Sequence, residues 1–441
     1  MNMNTKRPSV KSKPIDQEVI ELQTDKVRNG KLLITRRHLI YGAVGIGAVV
    51  AGGAAVKFIG DQVSKGGGSF KVLEVQNNAV TTADQLEEAP ANSYLDVKHE
   101  IKLPYGTLAW ANNSNLITCL IPTTKPKPLA TVNIIDMSTR DNYTILKNAE
   151  SQKEGFDIYD ARANDKGIIW TEVNILQGEW RIYCSKFKDD YKTDAKLIDK
   201  GSSDWETPSL GISENNIYWQ VIPKKPKLNS FVRQVDLNSI KAPTYTQDIN
   251  SNSDIDAFAK SNGKMGTPIY SCNDGIVITP RADSNQVFYN MTYIDNNKKT
   301  QDTAALPQNI KPLHAGYGQT GFNFALDAIY TYAQGLSKLG TYTPMSKNGN
   351  KWLCFSRTPT AAPCWCNNLF VVRSTMSICA LNFDKESYCI LERPNASDDY
   401  GDYLASTGNC SNIVTYANVH DTPVTGEEQK YCILRIWEAS R

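Results

Sequence analysis

No sign of charge dominates this chain. Its 48 Lys and Arg stand against 46 Asp and Glu, a formal charge of +2 over 441 residues. No summed field therefore attracts a polyanion, and nucleic acid is not an expected partner. Histidine is scarce, four in all including His38. Cys364-Trp-Cys366 puts two sulfurs on one strand face but has no further Cys or His at metal-site spacing, so neither a metal nor a cofactor is expected. A Gly-x4-Gly-Lys-Ser/Thr phosphate loop is missing, and Gly335-Leu-Ser337-Lys-Leu339 lacks the second glycine of a nucleophile elbow. Gly316-Tyr-Gly318-Gln-Thr-Gly321 spells the dinucleotide fingerprint without the surrounding βαβ pattern, and reads as turn glycines leading into a strand. Long apolar runs are missing too, with one exception.

That exception is Leu39 to Val56, 18 residues without a charge. A helix of this length spans about 27 Å, enough for a bilayer core with little tilt. Before it, residues 1–38 hold nine Lys/Arg and four Asp/Glu, an excess that keeps the N-terminus cytoplasmic and puts the remainder outside. Thr35-Arg36-Arg37-His38-Leu39-Ile40 resembles a twin-arginine translocation signal, with Thr35, Arg36 and Arg37 carrying the match and Leu39 standing where an aromatic is usual. The resemblance implies export of an already folded domain by the twin-arginine translocase. No Ala-x-Ala site follows and Lys57 abuts the apolar run, so the two outcomes are a membrane anchor over residues 39–60 and a secreted, cleaved form. The expected organisation is a disordered cytoplasmic extension over 1–34, the signal or transmembrane helix over 35–60, a Gly-rich tether over 61–69 and one exported domain over 70–441.

From residue 104 onward, short β-branched and aromatic runs alternate with Asn, Asp, Gly and Pro clusters, which is strand punctuation. Aligning Leu116, Ile168, Ile217, Ile276, Leu369 and Ile413 gives spacings of 52, 49, 59, 93 and 44 residues. A period of 40 to 55 residues with about four strands is the signature of a β-propeller blade. The 93-residue gap hides one further unit around Phe322 to Tyr332, read as a strand with a helix as the alternative. The expected fold is therefore an all-β propeller of seven blades, or six with a helical insertion. The last unit has room for three strands, and the flank holding Phe70 to Val75 and Tyr94 to Lys102 can supply its outer strand and close the ring. The pair Gly167-Ile-Ile-Trp170 and Trp180-Arg-Ile-Tyr183 resembles strands of exported TolB-like, WD-repeat-like propellers over about residues 100 to 440. That likeness implies an extracytoplasmic binding platform and no particular ligand.

Ten cysteines all lie beyond the apolar segment. A chain that folds before export bridges only cysteines already adjacent, and Cys379 with Cys389, flanking the turn at Asp384-Lys385, is the candidate disulfide. Acidic and aromatic residues gather in segments read as leading into each blade: Asp157, Tyr159 and Asp160; Trp205 and Glu206; Asp256; Tyr400 and Asp402. Such segments crowd one mouth of a propeller channel, where carboxylates beside rings suit a sugar or a cationic group. The function expected is noncatalytic binding of a protein, peptide or glycan; the alternative is a carbohydrate-active hydrolase or lyase with two of these carboxylates, such as Asp157 and Glu206, as acid and base. Replacing Arg36 and Arg37 together by Lys is expected to leave the chain cytoplasmic, cutting the exported fraction at least tenfold on cell fractionation; unchanged export would contradict the twin-arginine reading.

Overall fold

The computed structural model describes residues 72–440 apart from 113–114, 125–127, 242–256, 283–285, 356–360, 395, 399 and 423–425, together with two short strands near the N-terminus. The chain divides into two units, Met1–Lys57 and Phe58–Arg441. In the first, Ile20–Glu21 pairs antiparallel with Leu33–Ile34. Thr35, Arg36, Arg37, the apolar span and the tether lie outside the described residues. Among those described, no helix is long and apolar enough to cross a membrane.

The second unit is an all-β propeller. Six sheets take four consecutive antiparallel strands each, from Leu108–Trp110 in the first to Ser387–Ile390 in the last. A further sheet is composite: Tyr403–Leu404, Asn412–Asp421 and Gln429–Ala439 are completed by Leu95–Pro104 from the other end of the domain. Six blades are thus meanders of continuous chain where seven blades were expected, and the remaining sheet is built from both ends. The helical alternative around Phe322 is not what forms. Gly321–Leu326 is a strand paired with His314–Gly318, and no α-helix occurs among the described residues. The glycines of the apparent dinucleotide fingerprint lie in this hairpin, where no helix N-terminus exists to meet a pyrophosphate.

Both faces of most strands are buried because sheet packs on sheet. In Gly167–Asn174 every residue is buried. Ile168 and Trp170 pack with Leu116, Val132 and Ile134 of the preceding sheet, whereas Ile169 and Val173 pack with Leu210, Ile212 and Trp219 of the following one. Alternate side chains therefore join successive blades, and the run reads as continuously apolar.

Before closing the ring, the N-terminal flank runs along outer edges. Val72 bridges Ala305, Val80–Thr82 adds in parallel to Trp352–Phe355, and Glu87–Glu88 adds to Ser387–Ile390. These contacts cover strand edges that would otherwise offer pairing to other chains.

A second segment lies inside the ring. Gly408–Cys410 leaves the composite sheet and adds in parallel to the inner strand Cys364–Cys366. Thr407 Oγ1 donates to Ser271 O at 2.6 Å, its backbone N–H donates to Ala111 O at 2.9 Å, and Gly408 N–H donates to the Tyr270 hydroxyl. This brace ties four sheets across the channel. Gly408 has φ +77°, and a Cβ there would sit 2.2 Å from Cys272 Cβ.

All ten cysteines are buried. The expected Cys379–Cys389 disulfide fails on register: Cys379 pairs with Ile390 and Cys389 with Ala380. A one-residue offset turns the two sulfurs to opposite faces, and they pack in different clusters. Gly408→Val is expected to destabilise the domain by about 3 kcal/mol or more, because strain at positive φ adds to a clash with the Cys272 side chain at its Cβ. Thermal unfolding is the check, and an unchanged midpoint would show that the brace carries no load.

Candidate functional site

The inner strands surround a channel, and at one end it opens into a cavity of about 360 Å³. Its wall includes Trp110, Asp160, Arg162, Tyr270, His314 and Thr407, contributed by different sheets and by the brace. Several lining residues sit at the start of their inner strands, so this is the end at which the chain enters each sheet.

A register shift between Ile158 and Asp160 positions one side of the wall. The irregularity leaves Tyr159 exposed and brings Asp160 to the cavity. Arg162 Nη1 donates to Asp160 Oδ1 and to Ala161 O at 2.8 Å, while its guanidinium carbon lies 5.1 Å from the Trp110 ring centroid. The cation is thus held between a carboxylate and an aromatic face.

Across the cavity, both ring nitrogens of His314 are buried without a hydrogen-bond partner among the described residues. Burial pushes this imidazole down to about 4, so it is neutral at physiological pH, with one donor and one acceptor unmet. Buried polar atoms of this kind ordinarily find partners.

The acidic and aromatic residues singled out in the sequence separate into several places. Asp160 alone lines the cavity. Asp157 is buried, and its Oδ1 accepts the Leu129 N–H at 3.4 Å, holding the turn of the neighbouring sheet. Trp205 is a core residue, 4% exposed among Ile169, Trp180 and Trp219. Glu206 forms an ion pair with Lys264. Asp256 lies outside the described residues, in a segment running between the strands Ser230–Asp236 and Ala259–Ser261 rather than into an inner strand. Tyr400 is exposed, and its carbonyl accepts from Arg373.

Asp402 is buried, with Oδ1 unpartnered among the described residues. Arg162, His314, Trp110, Tyr270 and Thr407 escaped a search built on carboxylates. The one available signal was His314, one of four histidines, directly preceding the Ala-Gly that enters an inner strand.

Among known proteins, no family model and no curated sequence matches this chain. Solved structures do resemble it. A prolyl endopeptidase aligns over 75% of this chain and 50% of its own at 9% identity, with a TM-score of 0.48. The Pyrococcus horikoshii acylaminoacyl peptidase aligns over 74% and 52%, at 9% and 0.43. An oligogalacturonate lyase in complex with manganese aligns over 77% and 97%, at 10% and 0.39. The chain covers about half the length of the peptidases, and likeness at this level carries no argument about chemistry.

Burial raises the Asp402 carboxyl from 3.8 to about 6, against the opposing pull of Arg435, Arg393 and Arg373. The folded chain therefore holds this proton more tightly than the unfolded chain. Its stabilising contribution is complete below pH 3.8 and is lost as pH rises through 6. A shift of this size corresponds to roughly 3 kcal/mol. Stability, read from urea midpoints, is expected to fall by about that much between pH 4 and 7 relative to Asp402→Asn; parallel profiles for the two proteins would contradict the assignment.

Proposed function

We propose that this chain is an exported binding protein whose ligand seats in the central cavity. On this reading the twin-arginine translocase carries the folded propeller across the cytoplasmic membrane. Residues 39–60 hold it there, or cleavage releases it, and the partner is an extracytoplasmic protein, peptide or glycan. The observation that carries the reading is the cavity of about 360 Å³, in whose wall Arg162 is held between Asp160 and the Trp110 ring beside the apolar Leu210, Ile269 and Leu313.

A hydrolase or lyase is the second reading. The acid and base first considered are poorly suited to it, because Asp157 holds a turn and Glu206 is neutralised by Lys264. Asp160 and His314 do share the cavity, which keeps acid–base chemistry in view. A histidine near 4 is a weak base at neutral pH, so binding is the better fit.

The test is thermal unfolding of the full chain against a panel of peptides and oligosaccharides. A ligand at 100 times its Kd stabilises by about 2.7 kcal/mol. Wild type is expected to gain a clear rise in midpoint, and Ala361→Trp, which fills the cavity from a loop position, is expected to gain none. Equal stabilisation of both proteins would sink the cavity reading. Turnover of the ligand, detected by mass spectrometry and lost in Asp160→Asn, would favour the enzyme.

A further inference from the structure

The surroundings of the cavity narrow the ligand class, an argument that rests on the cavity reading above. Thirteen large apolar side chains are exposed among the described residues. Three of them, Val97, Tyr143 and Leu197, lie on outermost strands. The other ten lie in or beside segments that lead into inner strands, or in turns between second and third strands. In an antiparallel meander those two kinds of connection occupy the same end of the sheet. Ten of the thirteen exposed apolar side chains therefore lie at the end of the sheets where the cavity opens, and include Leu176 at 99%, Ile329 at 70% and Tyr400 at 69%. Leu313 belongs to both sets, exposed at the mouth and lining the cavity.

Surface of this composition marks a place where another apolar surface is buried. Aliphatic tips such as Ile175, Leu176 and Ile329 offer no partner to sugar hydroxyls and suit the side chains of a polypeptide. Inside the cavity, the observed hydrogen bonds of Arg162 run through Nη1 alone, and a guanidinium has five donors in a fork that fits a carboxylate. Leu210, Ile269 and Leu313 supply an apolar wall.

We infer that the ligand is the C-terminal end of a polypeptide. Its free carboxylate meets Arg162, its apolar last side chain lies against Leu210, Ile269 and Leu313, and the preceding residues leave the cavity past Leu313 over the end of the ring that carries the exposed apolar side chains.

The experiment measures binding of fluorescent, N-acetylated Ala-Ala-Phe-Leu to the full chain, as the free acid and as the amide. The acid is expected to bind at least tenfold more tightly, and Arg162→Gln, checked for an unchanged unfolding midpoint, is expected to abolish that preference. Leu176→Asp is expected to weaken both forms several-fold. Equal affinity for acid and amide would overturn the terminus assignment. Failure of both forms, with an oligosaccharide that binds wild type but not Ala361→Trp, would overturn the peptide class and leave the cavity reading standing. Peptide binding that survives Ala361→Trp would overturn the cavity reading itself. Sedimentation with anionic vesicles lost in Leu176→Asp, with neither peptide bound, would overturn the proposal and assign the exposed apolar side chains to lipid.

Discussion

The two ends of the propeller meet in one ladder, Leu95–Pro104 against Gln429–Ala439, and the remaining sheets depend on it. A ring of packed sheets has no free face only if it closes. An open end would expose a full set of backbone donors and acceptors together with an apolar sheet face. Closure by strands more than 300 residues apart in sequence pairs the first and last parts of the domain, which makes the composite sheet a contact of high sequence separation. The same flank then guards the edges beside Ala305, Trp352–Phe355 and Ser387–Ile390.

Closure from outside is matched by bracing from inside. The segment Thr407 to Cys410 fills part of the channel and bonds to Ala111, Ser271 and the Tyr270 hydroxyl. Tyr270 in turn donates to Pro363 O at 3.1 Å. Once the channel is occupied there, what is left at its mouth is a pocket of molecular size whose polar atoms are set by the backbone. Arg162 is fixed by Asp160 and Trp110, and His314 is fixed by its strand. Side chains carried by the inner strands of a closed ring are organised in advance.

Much of the architecture was legible because a propeller writes its period into the chain. Turn glycines and asparagines, followed by Ile-x-Trp or its equivalent, mark the second strand of successive sheets, and the missing outer strand was found in the flank. Register was less legible. Cys379 and Cys389 flank a turn symmetrically, yet hairpin pairing is set by backbone geometry at that turn, and one residue of offset separates them. The site was legible only in part. Asp160 reaches the cavity because of a register shift that composition does not announce, whereas Trp205, in an equally acidic setting, is drawn into the core by the apolar sheets beside it. Of the acidic and aromatic residues singled out by composition, Asp160 alone lines the cavity, beside Arg162 and His314, which a search for carboxylates does not select.

The most direct test of ring closure is amide hydrogen exchange of the full chain. Amides of Leu95–Pro104 that pair with Gln429–Ala439 should exchange as slowly as those of inner strands such as Asp157–Ala163, through global unfolding alone. If the Leu95–Pro104 amides exchange orders of magnitude faster while the inner strands stay protected, the closing strand opens on its own and the propeller does not depend on it.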